Sequence, residues 1–388
     1  VLPAGAHGRH VIESGDAGGS ATTTTTVAAP TVAPGVQVRR AITYQVDAGQ
    51  PELLDAYLPA PRGGSKPPAV VLVHGGGWTT GNRSVLGPEA AQLAALGYAA
   101  FTIDYRLEDD PDQIPWTDPV DDVQAAILYV SEHAQDFGFD RSRLGLLGAS
   151  AGGWVVAMVA TLGTLDDTTG KDPNAIPGRR PVPIDVVLTW SGIFDLTTLQ
   201  PDGSGTPPGC AGDPACITVL TPQGFADLTD CSLQQCPQTF AQASPVKHVS
   251  STTTPLYMFN SAEELVPVAQ PEGMATALKG ASVAHDVVVL AGNLHAQEYA
   301  PEAWSRTVMF LGAALDPTST ATTTAPDLTV APGGARPDEG TDWVVIAAVA
   351  GTALLLIVGG MVLVLATRRR RARRVQHRPP GGAGHTSR

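Results

Sequence analysis

The chain has 388 residues, 43% hydrophobic and 16% charged, which suits one large globular core with additional segments. Eight of the 24 basic residues fall after Ala366, so residues 1–366 carry 16 basic against 37 acidic side chains, a formal charge of −21 within the overall −13. So acidic a body repels phosphates instead of displacing their counterions, which excludes nucleic acid as a partner.

Residues 1–35, with "SATTTTTVAAPTVAPG", lack apolar periodicity and are expected to be disordered, because they cannot bury enough surface to offset the entropy of ordering. The topology derived below requires an export signal, which is expected to have been removed or to lie outside these residues. From Val36 to about Leu315, strands alternate with helices. "VQVRRAITYQV" and "ELLDAYLP" alternate as half-exposed antiparallel strands do. "AVVLVHG", "AAFTIDY", "RLGLLGA", "IDVVLTWS", "PLYMFNS" and "HDVVVLAG" are continuous apolar runs, as in parallel strands covered on both faces. Helical patterns fall between them in "PEAAQLAALG", "PVDDVQAAILYVSEHAQDFG", "GGWVVAMVATLG", "PEGMATALKG" and "YAPEAWSRTVMFLGAAL". The alternation predicts an α/β fold, a mostly parallel eight-stranded sheet with helices on both faces.

Between the sixth and seventh strands, about residues 196–243 form a long Pro/Gly/Asp-rich insertion holding all four cysteines, Cys210, Cys216, Cys231 and Cys236. Two disulfides in an oxidising compartment are expected, with three pairings open. Zinc is the alternative, poorly served by C-x5-C and C-x4-C spacings without an adjacent histidine, and no metal is assigned. Phe225 and Phe240 are candidate walls of an acyl pocket or anchors of the insertion.

Residues 316–342 repeat the Thr/Pro composition of the N-terminus and read as a stalk. Residues 343–366 are an uncharged apolar run, long enough as a helix, at about 1.5 Å per residue, to cross a bilayer. The basic tail, residues 367–388, starts "TRRRRARR" and marks the cytoplasmic side, so residues 36–315 are expected outside a cell membrane crossed once.

The chemistry centres on "LGLLGASAGGWVV", where an apolar strand meets an apolar helix at Gly148-Ala-Ser-Ala-Gly152. This is the G-x-S-x-G nucleophile elbow, whose small residues allow a strained turn that projects Ser150 Oγ near a helix N-terminus. A serine hydroxyl needs a base, and His295 lies in the loop after the eighth strand. His285 and His248 read as surface residues.

With these motifs, the "HGGGW" of His74–Trp78 and the "DYRL" of Asp104–Leu107, residues 36–315 resemble the α/β-hydrolase family. Within it they are similar to esterases of the hormone-sensitive-lipase-like and feruloyl or acetyl-xylan esterase-like types. The resemblance implies a cap at residues 196–243 and an oxyanion hole from the amides of Gly76, Gly77 and Ala151, with His74 bracing that loop. It also implies a Ser150–His295 pair with an acid after the seventh strand, where "SAEELVP" resembles the family's acid segment and its register selects Glu263 over Glu264 and Asp195. The implied reaction is hydrolysis of a small-molecule ester through an acyl-enzyme, with no cofactor. Two alternatives remain at this point, an arylformamidase-like amide hydrolase and a non-catalytic cell-surface adhesion module.

Overall fold

The computed structural model of the chain describes residues 32–47, 49–61, 63–107, 115–163, 182–198 and 231–316. Eight strands form one sheet: β1 (Gln37–Asp47), β2 (Gln50–Leu58), β3 (Ala69–Val73), β4 (Ala99–Ile103), β5 (Leu144–Ala149), β6 (Val186–Trp190), β7 (Leu256–Ser261) and β8 (His285–Leu290). Their spatial order is β1-β2-β4-β3-β5-β6-β7-β8. β1 pairs antiparallel with β2, and β2 with β4; every pairing from β4 onward is parallel.

The inner strands β3, β4, β5 and β6 are buried at every residue, because their sequences are apolar without alternation and helices cover both faces. On one face α1 (Gly87–Leu96) and the C-terminal helix α7 (Ala300–Leu315) place Leu93, Leu311 and Leu315 in a cluster with Val70, Leu72 and Leu188. On the other, α2 (Asp118–Glu132), α4 (Ala151–Leu162) and α6 (Ala269–Gly280) place Val123, Trp154, Val155 and Leu278 in a cluster with Val71, Val73, Leu146 and Val187. α4 is apolar all round and buried from Ala151 to Thr161, as befits a helix at the centre of the fold. It therefore holds its N-terminus, directly after Ser150, in a fixed place.

Some elements depart from the sequence pattern. β8 is apolar in sequence yet only Val288 is buried, since this strand is the sheet edge and pairs with β7 alone. β2 is not half-exposed throughout: from Leu54 to Leu58 it is buried, lying between β1 and β4. The single helix expected over residues 119–138 breaks at His133, whose ring Nδ1 bonds the Tyr129 carbonyl at 2.8 Å, and resumes as the short α3 (Ala134–Phe137). Residues 32–35, expected to be disordered, are placed, with Val36 N–H closing a turn onto the Ala33 carbonyl.

The insertion returns through a Cys231–Cys236 disulfide and the short α5 (Pro237–Gln242). Phe240 anchors this return: it is 2% exposed and lies in the same buried cluster as Trp154, whose Nε1 donates to the Ala243 carbonyl at 2.7 Å. Cys210, Cys216, Phe225, most of the cap, the stalk, residues 343–366 and the basic tail lie outside the described residues. Among the described residues, no helix is long and apolar enough to cross a membrane.

Candidate active site

Three loops meet at the carboxyl edge of the sheet. The first is the turn from β5 into α4, where Ser150 sits at φ +52° and ψ −118°, a conformation an L-residue holds only when its surroundings impose it. Here Ser150 N–H is tied to the Trp190 carbonyl at 2.7 Å, while its own carbonyl accepts from Trp154 N–H in the first turn of α4. The second loop follows β8: His295 lies just before a 3₁₀ turn, Ala296–Tyr299, and its Nε2 is 2.9 Å from Ser150 Oγ. The third follows β7, and it corrects the sequence reading.

The carboxylate against His295 belongs to Glu264, not Glu263: Glu264 Oε2 is 2.5 Å from His295 Nδ1. Glu263 is exposed, with its backbone N–H on the Gly292 carbonyl. The reason lies in the turn. Ala262 and Glu263 continue hydrogen bonding towards the end of β8, and the chain then reverses so that the Glu264 side chain folds back beneath Ser261, whose N–H donates to Oε1 at 2.7 Å. Glu264 is 1% exposed. Asp195 takes no part; its carboxylate accepts from Lys247 Nζ and from Thr197.

A buried carboxylate is tolerable only when its oxygens are bonded. Oε2 faces the imidazole, and Oε1 accepts from Ser261 N–H and, at 2.9 Å, from the Ser191 hydroxyl. Ser191 follows β6, is fully buried at φ +54°, and also accepts the Ala296 N–H at 2.8 Å. The Tyr299 hydroxyl lies 3.0 Å from Ser191 Oγ and 3.0 Å from the Phe259 carbonyl. Burial first, and the Glu264 charge second, push the Tyr299 phenol well above its ordinary pKa, so it keeps its proton. His295 is held from the other side by a reciprocal pair: its N–H donates to Glu298 Oε2 at 2.9 Å and its carbonyl accepts from Glu298 N–H. Sequence reasoning missed Ser191, Ser261, Tyr299 and Glu298. Only Glu298 left a signal, an acidic residue three positions after the head of a turn.

The glycine loop after β3 lies beside the serine. A methyl group at Gly75 would stand 2.9 Å from Ser150 Cβ and 2.8 Å from the Ala149 carbonyl oxygen, so only glycine permits this approach. Gly76, Gly77 and Trp78 follow with φ of +126°, +59° and +61°, and the Gly76 carbonyl is turned away to accept from Thr79 and Thr80 N–H. Ala151, as the first residue of α4, has an amide that helix geometry leaves without an intrahelical partner.

His74 braces this loop, as expected. Its Nδ1–H donates to the Gly75 carbonyl at 2.7 Å, and its ring stacks on Tyr105 at 4.4 Å between centroids. Burial lowers its pKa and keeps the ring neutral. Tyr105 in turn donates its hydroxyl to the His74 carbonyl at 3.0 Å, and Asp104 accepts from Arg83 N–H at 2.7 Å and from its guanidinium, tying down the chain beyond the glycines. His248 bonds the Gln242 carbonyl and His285 the Val283 carbonyl, apart from these loops.

Comparison with known proteins places this geometry. Residues 54–278, more than half the chain, match the BD-FAE family. A probable carboxylic ester hydrolase of Mycobacterium tuberculosis, LipM, is 28% identical over 219 residues, covering 55% of this chain and 46% of that protein. Esterase LipC of the same organism is 25% identical over 249 residues, covering 63% of this chain and 56% of its own. The chain thus spans about half the length of these curated relatives. Among solved structures, an esterase from Thermogutta terrifontis superposes with a TM-score of 0.55 at 20% identity, over 74% of this chain and 95% of its own, which establishes the α/β-hydrolase fold.

Proposed function

The chain belongs to the BD-FAE family, and from that premise we propose that it hydrolyses carboxylic esters, with Ser150 as nucleophile, His295 as general base and then acid, and Glu264 as the residue that orients His295. One observation carries the reading: the unbroken hydrogen-bonded series from Ser150 Oγ through His295 to Glu264, at 2.9 Å and 2.5 Å. A surface module that only binds its partner has no use for such a series.

In this reaction Ser150 Oγ attacks the ester carbonyl as His295 Nε2 takes its proton. The carbonyl oxygen becomes an oxyanion that accepts from the amides of Gly76, Gly77 and Ala151, donors worth about 10²- to 10³-fold each in comparable sites. His295 then returns the proton to the departing alkoxide, leaving an acyl-serine and a free alcohol. Water enters and gives a proton to His295 as it attacks the acyl carbon; the bond from that carbon to Ser150 Oγ then breaks as His295 returns the proton to Oγ, releasing the acid and restoring the serine. Glu264 keeps the imidazole in the tautomer whose Nε2 can accept, and stabilises the imidazolium without taking its proton.

The supporting experiment is labelling with a fluorophosphonate probe. Purified native protein should be labelled, and Ser150→Ala should not; equal labelling of the two, or none in either, refutes the assignment. The Pro/Gly/Asp-rich insertion offers no long apolar lid in its sequence, which supports short or aromatic acyl groups as substrates over long-chain triglycerides. A rate that climbs steadily with acyl length would contradict this.

The uncharged run of residues 343–366, with arginines directly after it, supports a single membrane crossing with the hydrolase domain outside and the tail in the cytoplasm. Protease added to intact cells should release the domain by cutting the stalk. Cleavage only after lysis would refute this topology.

A further inference from the structure

The three catalytic loops do not meet by side-chain contact alone; they share one attachment point, the dipeptide Trp190–Ser191 at the end of β6. The Trp190 carbonyl accepts the Ser150 amide at 2.7 Å and so holds the elbow. The Ser191 hydroxyl donates to Glu264 Oε1 at 2.9 Å and accepts the Ala296 amide at 2.8 Å, bridging the acid and the residue after His295. The dipeptide is itself fixed: Ser191 N–H bonds the Phe259 carbonyl at 2.9 Å, and Trp190 Nε1 bonds Thr307 Oγ1 at 3.2 Å.

We propose that Ser191 is a positioning residue of the hydrolytic site, whose hydroxyl sets the Glu264 carboxylate and the His295 loop in register and thereby acts on turnover through Glu264. The proposal rests on the Ser150–His295–Glu264 reading.

The chemistry of a hydroxyl suits this place. Ser191 has one proton, and the ionised carboxylate, a stronger acceptor than a phenol, takes it. Its lone pairs are then free for the Ala296 N–H, while the Tyr299 hydroxyl, 3.0 Å away, gives its own proton to the Phe259 carbonyl. A single, fully buried atom thus donates to the acid and accepts from the base loop. Without the hydroxyl, Glu264 Oε1 keeps only the Ser261 amide, and the Ala296 amide loses its acceptor. The carboxylate is then free to rotate about its remaining bonds, and His295 loses the fixed partner that aims Nε2 at Ser150. Substrate contacts are untouched, so the loss falls on kcat and not on KM.

The experiment is a double-mutant cycle on the full-length protein, with kcat and KM for p-nitrophenyl acetate. Ser191→Ala is expected to lower kcat about 10- to 100-fold with KM within about 2-fold, as for removal of a hydrogen bond to a charged group. In a Glu264→Gln background the same substitution is expected to lower kcat by less than about 3-fold, because the route through the carboxylate has already been removed. If Ser191→Ala does not fold, Ser191→Gly serves, since glycine suits the +54° backbone and lacks the hydroxyl. An unchanged kcat, a loss confined to KM, or an equal loss in both backgrounds overturns the proposal. Wild-type turnover in Glu264→Gln alone overturns the catalytic reading and this proposal with it, whereas a crippled Glu264→Gln beside an active Ser191→Ala overturns this proposal only.

Discussion

Replacing Glu264 by glutamine tests the site at its most informative point, because the two oxygens of this carboxylate have different neighbours. Oε1 faces two donors, the Ser191 hydroxyl and the Ser261 amide, the latter at 2.7 Å. An amide NH₂ placed there would meet the Ser261 N–H donor to donor, so the glutamine turns its carbonyl oxygen to that side. Its NH₂ then occupies the position of Oε2 and donates to His295 Nδ1, 2.5 Å away in the native protein. That forces the proton of a neutral imidazole onto Nε2, and an Nε2–H cannot accept from Ser150 Oγ. The imidazolium of the transition state also loses its buried counter-charge. Together these place the loss at about 10³- to 10⁴-fold in kcat, or about 4–5.5 kcal/mol of barrier. Glu263→Gln, at an exposed side chain, should stay within about 2-fold of wild type. Steady-state hydrolysis of p-nitrophenyl acetate, with circular dichroism to confirm folding, reads both. A Glu264→Gln enzyme within about 10-fold of wild type beside a crippled Glu263→Gln would refute the reasoning.

Ser150→Ala, His295→Ala and the double variant should all lose a similar factor, about 10⁴ or more in kcat, because the proposed mechanism has the pair act as a unit; a double variant far below either single one contradicts this. Gly75→Ala would bring a methyl within 2.9 Å of Ser150 Cβ and should depress kcat at least about 10²-fold with the far-ultraviolet spectrum unchanged. Glu52 supplies a pH dependence of stability. Burial first, and then Asp122 and Asp104 outweighing Arg106, raise its pKa to about 7. The folded state therefore holds this proton more tightly than the unfolded chain, with its carboxyl pKa of about 4.3, and stability falls as pH rises between the two values. Glu52→Gln should thus raise Tm at about pH 8 and change it little near pH 4; a larger gain at the acid end would reverse the sign.

Much of this was legible because it follows from periodicity and backbone demands. Continuous apolar runs such as Val186–Trp190 suit inner strands, and a small-residue turn between Ala149 and Gly152 suits a sharp strand-to-helix junction that presents Ser150. The carboxylate beside His295 was misplaced by one residue because periodicity ends at Ser261. Beyond it, the side chain that points inward is decided by how far the backbone continues along β8, and Ala262 and Glu263 continue two residues past the last paired strand position. Ser191 was invisible for another reason: a serine after a tryptophan at a strand end carries no pattern, and its partners at 264 and 296 are brought to it by the order of β6, β7 and β8 in the sheet. Edge strand β8 looked internal because Val287, Val288 and Val289 are all apolar, although only one is buried.

Backbone strain gathers at the same edge. Of the six described non-glycine residues with positive φ, Trp78, Ser150, Ser191 and Ala296 belong to the site's loops, while Ala41 and Ser282 do not. Each such residue carries about 1–2 kcal/mol of steric penalty, so the surrounding bonds must impose it. At Ala296 that bond is the amide to Ser191 Oγ, one residue from His295. Ala296→Gly separates strain from function: glycine relieves the φ penalty, while the lost methyl burial, about 0.8 kcal/mol, and the greater freedom of the unfolded chain oppose the gain. Stability should therefore change by less than about 1 kcal/mol. Turnover should nonetheless fall several-fold, because the loop carrying His295 gains conformations in which Nε2 no longer faces Ser150. Ala41→Gly, the exposed counterpart at φ +54°, should leave kcat unchanged. Denaturant titration and kcat measured on both variants decide the matter: equal kcat in Ala296→Gly and wild type would show that the strain at 296 is incidental to the geometry of His295.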